Sequence, residues 1–177
     1  MKLVRIARDS IVAGLRGERY APPAEPELQA PAATFVTLYK SGSLCGCVGS
    51  VEALRPLGAD VAHNAYAAAF EDPRFGPLKP EELEQLSIEV SVLSAPEPLN
   101  VRDDDDLHAQ LEPAVHGLIL NCLGRRATFL PQVWDSLPDP KRFVSELKRK
   151  AGLSPFTPAS ACAFARYTVS KHLEESA

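Results

Sequence analysis

The sequence has no excess of positive charge: 19 lysines and arginines face 23 aspartates and glutamates, for a formal net charge of −4. Proteins that track nucleic-acid phosphates carry a basic patch or stripe, and none stands out here, so nucleic acid is not the expected partner. No apolar run approaches the roughly 20 residues that a membrane helix needs. Arg5, Arg8 and Asp9 interrupt any signal-peptide core near the start. A cytoplasmic setting is the expectation. Cysteines are few, at positions 45, 47, 122 and 162. They are too sparse for a disulfide scaffold, and all are expected to be reduced. There is no Gly-rich phosphate loop, Gly-x-Ser-x-Gly elbow, dinucleotide fingerprint or internal repeat. The generic motifs therefore name no reaction class and no cofactor.

What is present is ordinary globular composition, 45% hydrophobic and 24% charged, over 177 residues. That length suits a single domain, 1–177, with a real core. Leu3, Ala7, Ile11 and Leu15 recur every four residues and predict an amphipathic helix over 3–16 that ends near Gly17. A proline-rich loop over 21–33 follows, then the core over 34–170. Thr34 to Lys40 and Leu44 to Val51 flank Ser41-Gly42-Ser43 and read as a β-hairpin. Gly46 and Gly49 are poor strand residues and suggest a bulge or a close backbone approach. Leu57, Val61, Ala65 and Ala69 mark a second helix, which Asp72-Pro73 stops.

Downstream, Pro80 to Leu83 reads as a short helix and Ser87 to Leu93 alternates as a half-buried strand. Asp103 to Asp106 reads as a solvated loop or helix start, with a cation site as the rarer alternative. Val115 to Leu123 and Ala127 to Leu130 form a second hairpin. Asp139-Pro140 opens a helix that runs to Gly152, and Cys162 to Val169 is a closing strand. Hairpins mixed with helices, without βαβ alternation, give an α+β fold with a mainly antiparallel sheet flanked by helices.

The stretch Leu44-Cys45-Gly46-Cys47-Val48-Gly49 is the most unusual one for chemistry. Small residues beside a thiol let a substrate approach the sulfur, and a thiol nucleophile needs a lowered pKa. Packing by two small residues is the plainer reading. Cys45 and Cys47, two apart in a strand, are expected to share a face. His116 opens a strand and suits an acid/base role or a structural one. Arg74 in Asp72-Pro73-Arg74-Phe75 either closes a loop ion pair or meets an anionic substrate. Glu89, amid apolar neighbours, pairs with Arg74 or lines a cleft. Asn64 hydrogen-bonds across a cleft or, more cheaply, stands exposed on its helix. Cys45, Cys47 and His116 are chemically suited to a soft metal, but no Cys-x-x-Cys pairing supports a structural zinc, and no metal site is expected.

Four stretches in order resemble the AMMECR-type domain family, whose microbial members are called AmmeMemoRadiSam system protein A. They are Leu44 to Gly49; Asn64 to Ala69 running into Asp72-Pro73-Arg74-Phe75; Leu86 to Leu93; and His116-Gly117-Leu118 leading through Gly124-Arg125-Arg126 to Trp134. The family's first motif reads Leu-Arg-Gly-Cys-Ile-Gly, so Cys45 stands where the family has arginine, while Gly46, Cys47 and Gly49 match. The resemblance implies an α+β domain with a smaller lobe. It implies a cleft holding the glycine-cysteine motif around Cys47. With the residue readings above, Cys47 and His116 are the catalytic candidates and Cys45, Gly46, Gly49, Asn64, Asp72, Arg74 and Glu89 the binding candidates. The implied role is an enzyme or enzyme-like subunit acting on a small molecule or a modified residue. The alternatives are a non-catalytic scaffold for Memo-like and radical SAM proteins, or a metal-handling module.

Overall fold

A computed structural model describes residues 1–174. In chain order its α-helices are α1 (Lys2–Leu15), α2 (Leu57–Phe70), α3 (Asp104–Ala109) and α4 (Pro140–Lys150), and the short helix expected from Pro80 is a 3-10 helix, Pro80–Gln85. Its strands are β1 (Pro31–Lys40), β2 (Ser43–Gly49), β3 (Arg55–Pro56), β4 (Leu86–Leu93), β5 (Glu97–Leu99), β6 (Gly117–Cys122), β7 (Arg125–Phe129), β8 (Ala163–Tyr167) and β9 (Val169–Leu173). Two compact units result, one from Met1 to Leu93 together with the chain from Ser170, the other from Ser94 to Val169. Both sheets are built from antiparallel pairs, and helices flank them, which makes the fold α+β.

In the first unit the sheet order is β2-β1-β4-β9, with β3 pairing the start of β1. That pairing draws Pro31 and Ala32, expected in the loop, into β1 opposite Pro56 and Arg55. The turn at Ser41-Gly42 has positive φ at both residues (49° and 81°), the geometry a two-residue hairpin demands. The helices cover one face of this sheet. α1 buries Leu3, Val4, Ile6, Ala7 and Ile11, and the core they share with α2 takes Val36 and Leu38 from β1 and Ile88 and Val90 from β4. α2 is buried along most of its length, which explains its alanines: Ala65, Ala67, Ala68 and Ala69 are all at most 5% exposed. Small side chains bring the helix close enough that a Cβ on Gly46 would lie 2.2 Å from the Ala68 carbonyl oxygen. That is the close approach the motif's first glycine serves.

The second unit is a four-stranded sheet, β5-β8-β6-β7, carrying α3 and α4. Asp139 caps α4 by accepting from the Lys141 N–H, and Phe143, Val144 and Leu147 bury its inner face. Trp134 stacks on Phe143 at 3.7 Å between ring centres. The expected closing strand is two strands, β8 in this sheet and β9 in the sheet of the first unit. The acidic run is used internally: Asp103 caps α3, Asp104 pairs with Lys148 at 2.5 Å and Asp106 with Arg102 at 3.1 Å. This leaves the cation alternative with no support.

The expectation that every thiol is reduced is corrected here. Cys122 and Cys162 form a disulfide, with Cα atoms 4.6 Å apart. The register of β6 on β8 pairs Asn121 with Ala163, so the next residues out, 122 and 162, come face to face within ordinary disulfide reach. Cys45 and Cys47 are free.

Candidate functional site

The first sheet has two unlike faces. Val36, Leu38, Gly46, Ile88 and Val90 turn toward the helices and are apolar or small. The alternate residues turn away, and there the register lines up a polar row. Cys47 stands directly opposite Thr37, and Thr37 directly opposite Glu89. Lys171 on β9 extends the row, its Nζ 3.0 Å from Glu89 Oε1. Thr37 Oγ1 lies 3.4 Å from Cys47 Sγ, and Ser91 Oγ donates to Glu89 Oε1 at 3.4 Å. Glu89 and Ser91 are only 7% and 5% exposed. Polar groups held out of water at that depth cost free energy unless paired, so a fold has no packing reason to collect them. In the neighbouring row Gly49, Phe35 and Ser91 are in register, and a Cβ on Gly49 would meet the Phe35 ring at 2.2 Å. The room beside both motif glycines is thus filled by protein: α2 at Gly46, Phe35 at Gly49.

Cys47 is anchored through its backbone. β2 is an edge strand, and an edge exposes unpaired N–H and C=O groups. At Cys47 the turn after α2 satisfies both. Its N–H donates to Asp72 Oδ2 at 2.9 Å, and its carbonyl accepts from Arg74 Nη2 at 2.9 Å. Asp72 also accepts from Arg74 Nη2 at 2.7 Å, from Arg74 Nε at 3.0 Å and from the Arg74 N–H at 3.1 Å. The Arg74 guanidinium, aided by the two backbone N–H donors, holds the Asp72 carboxyl well below the usual carboxylate range, against the opposing effect of burial. Both readings of Arg74 from sequence had it closing an ion pair or meeting a substrate. Its fork here is occupied by Asp72 and the Cys47 carbonyl, and Asp72 first, with the nearby Cys47 thiol contributing, raises the Arg74 pKa.

Asn64 is 1% exposed, which corrects the cheaper expectation of an exposed asparagine. Its Nδ2 donates to the Thr34 carbonyl and to Asp60 Oδ2, both at 3.0 Å. Asp60, fully buried, also accepts from the Thr34 N–H at 2.9 Å, the Thr34 hydroxyl at 2.8 Å, Ser50 Oγ at 2.9 Å and Arg55 Nη1 at 3.0 Å. This network ties α2, β1 and the end of β2 together on the helix side of the sheet. Sequence reading missed Asp60, Thr37 and Lys171. For Asp60 a signal existed: a carboxylate one helical turn ahead of Asn64, on a helix otherwise built of alanine and valine.

The two motif thiols do not share a face. The register slips between Leu38 and Tyr39, so that Leu38 opposes Gly46 and Tyr39 opposes Leu44, leaving Cys45 as the extra residue of a β-bulge. Cys45 packs toward the helix-side core and lines a cleft of about 330 Å³ with Leu38, Lys40, Leu44, Ala69, Phe75 and Leu78 among others. Cys47 is not among the residues lining it. Burial pushes the Cys45 thiol up, with Lys40 pulling it down and Glu82 adding to the rise.

His116 belongs to the second unit. Its Nδ1 accepts from the Glu112 N–H at 2.9 Å, and its carbonyl accepts from Trp134 Nε1 at 2.7 Å. Burial, and secondarily Arg166, lower its pKa, so near neutral pH the ring is uncharged with its proton on Nε2. Among the described residues no group of three or more His, Cys, Asp or Glu side chains is placed to hold a metal. No helix among them is long and apolar enough to cross a membrane.

The model of the AMMECR1 family matches residues 4–172. A protein of Methanothermobacter thermautotrophicus is 40% identical over 161 residues, covering 86% of this chain and 82% of its own length. One of Thermofilum pendens is 38% identical over 165 residues, covering 85% and 78%. The crystal structure of an uncharacterized Pyrococcus horikoshii protein superimposes with a TM-score of 0.83 at 32% identity, over 98% of this chain and 90% of that one.

Proposed function

The chain belongs to the AMMECR1 family, and on that premise we propose that it is an enzyme-like component acting on a small molecule or a modified residue, with Cys47 as its reactive thiol. One observation carries this reading: the polar row on the sheet face turned away from the helices, with Thr37 and Glu89 buried at its centre, Cys47 half-buried at one end and Lys171 exposed at the other. Strands lie about 4.8 Å apart, so the thiol and the Glu89 carboxylate stand two strands, roughly 10 Å, from each other. That separation suits a ligand laid across the strands, not direct proton transfer from Cys47 to Glu89. The thiol meets an electrophilic atom at one end. Glu89, paired with Lys171 and Ser91, accepts hydrogen bonds at the other. Asp72 and Arg74 are positioning residues that fix the backbone from which the thiol projects.

In this reading the protein works in the cytoplasm beside a Memo-like protein and a radical SAM protein, as the family resemblance implies. The alternative is a non-catalytic scaffold role for the same partners. Comparison of metabolites in a strain lacking the protein, complemented by wild type or by Glu89→Gln, tests the enzyme reading. A metabolite that changes on deletion is expected to recover with wild type and not with Glu89→Gln. Full recovery with a normally folded Glu89→Gln protein removes Glu89 from the site and leaves the scaffold reading.

A further inference from the structure

We propose that the cleft beside Cys45 is a docking groove for an extended peptide segment, apolar and acidic in alternation, which pairs with the outer edge of β2 at Leu44. The backbone geometry comes first. Cys47 turns its N–H and C=O away from β1, toward Asp72 and Arg74, so Thr37 and Cys47 are a pair without mutual hydrogen bonds. Alternation along β1 makes Tyr39 the next such position, and the bulge at Cys45 brings Leu44 opposite it. Leu44 therefore also turns its N–H and C=O outward. At Cys47 that edge is closed. At Leu44, among the described residues, no loop backbone or side chain bonds to it.

The open edge borders the cleft. Leu44 is one of its lining residues, and Leu38, Ala69, Phe75 and Leu78 give it apolar walls. At about 330 Å³ it lies at the small end of ligand-pocket volumes, room for one bulky side chain and not for a large cofactor. An unpaired strand edge beside a pocket for alternate side chains is the arrangement by which sheets add a peptide strand. Charge selects the occupant further. Both oxygens of Glu82 at the rim are engaged, by Lys40 Nζ at 2.5 Å and by the Lys79 N–H at 2.9 Å. The Lys79 side chain lines the cleft without an ion-pair partner among the described residues. Two lysines against one carboxylate leave a net positive rim, which favours acidic residues flanking the apolar anchor.

The test uses the full chain and a panel of dye-labelled hexapeptides that alternate Glu with Leu, Val or Phe, read by fluorescence polarisation. Saturable binding is expected for at least one member. N-methylation of the amides on the pairing edge of that peptide is expected to weaken it roughly tenfold, the loss of two backbone hydrogen bonds. Leu44→Pro removes the outward donor without removing a ladder bond and is expected to do the same. Lys79→Glu weakens the peptide. Capping Cys45 as a benzyl mixed disulfide in a Cys47→Ser background blocks it until the cap is reduced off. Should Leu44→Pro misfold by circular dichroism, the N-methylated peptide on the wild-type chain decides. No saturable binding across the panel, or equal binding of the parent and N-methylated peptides, overturns the proposal.

Discussion

Replacing Asp72 by alanine tests how the edge strand that carries Cys47 is held. The carboxylate, 4% exposed, accepts from the Cys47 N–H, the Arg74 N–H and the Arg74 guanidinium. The Arg74 side chain is 58% exposed and returns to water when its partner is lost, so the ion pair itself contributes at most about 1 kcal/mol. The two backbone N–H groups do not recover so easily, and each costs about 1–3 kcal/mol if it stays unpaired and buried. Partial access of water at the edge brings the expected total to about 2–4 kcal/mol. For a chain of 177 residues that is a fall of roughly 5–15 °C in the melting midpoint. The single tryptophan, Trp134, lies in the second unit, so its fluorescence does not report the first unit. Far-UV circular dichroism, which follows strands and helices of both units, is the suitable assay. Asp72→Asn keeps an acceptor and is expected to cost about half as much. An Asp72→Ala protein that melts within 1 °C of wild type would refute the role assigned to this carboxylate.

Asp60→Ala strands the Thr34 N–H, Asn64 and Arg55 around a buried gap and is expected to destabilise by about 3–5 kcal/mol in urea unfolding, more than any single change at the polar row. The Asp72 carboxyl has its folded pKa depressed, so its contribution is complete above the ordinary carboxylate pKa of about 4 and is lost as pH falls through the lower folded value. The stability gap between wild type and Asp72→Asn should accordingly hold from pH 7 down to about 5 and narrow progressively as pH falls below about 4. Alkylation of the denatured, unreduced protein should label Cys45 and Cys47, with Cys122 and Cys162 labelled only after reduction. In the folded state Cys45 should alkylate more slowly than a free thiol at pH 8, because burial raises its pKa.

Local signals placed most of the elements. The four-residue stripe of α1, the Asp139-Pro140 start of α4 and the Ser41-Gly42 turn are each determined by residues within a few positions of one another. The polar residues Glu89 and Arg74 were legible as unusual for the same reason. Their partners were not, because Glu89 meets Lys171 across a register between strands 82 residues apart in sequence, and no local pattern encodes that. Cys122 and Cys162, separated by 40 residues, are invisible as a pair for the same cause. The shared face expected for Cys45 and Cys47 failed on a single inserted residue: alternation predicts a face only while the register is unbroken, and the bulge breaks it at Cys45. Asn64 looked solvent-facing because an asparagine among alanines has no visible partner until Asp60 and Thr34 are brought beneath it.

Substitution of Cys47 by serine tests the central claim most directly, because it changes one atom at the end of the polar row and leaves the Asp72 and Arg74 bonds to the backbone in place. Melting temperature is measured beside the ability to restore the growth or product phenotype of a strain lacking the protein. A thiol that reacts predicts a protein stable to within roughly 1 kcal/mol of wild type that fails to complement. A stable Cys47→Ser protein that complements fully contradicts the claim.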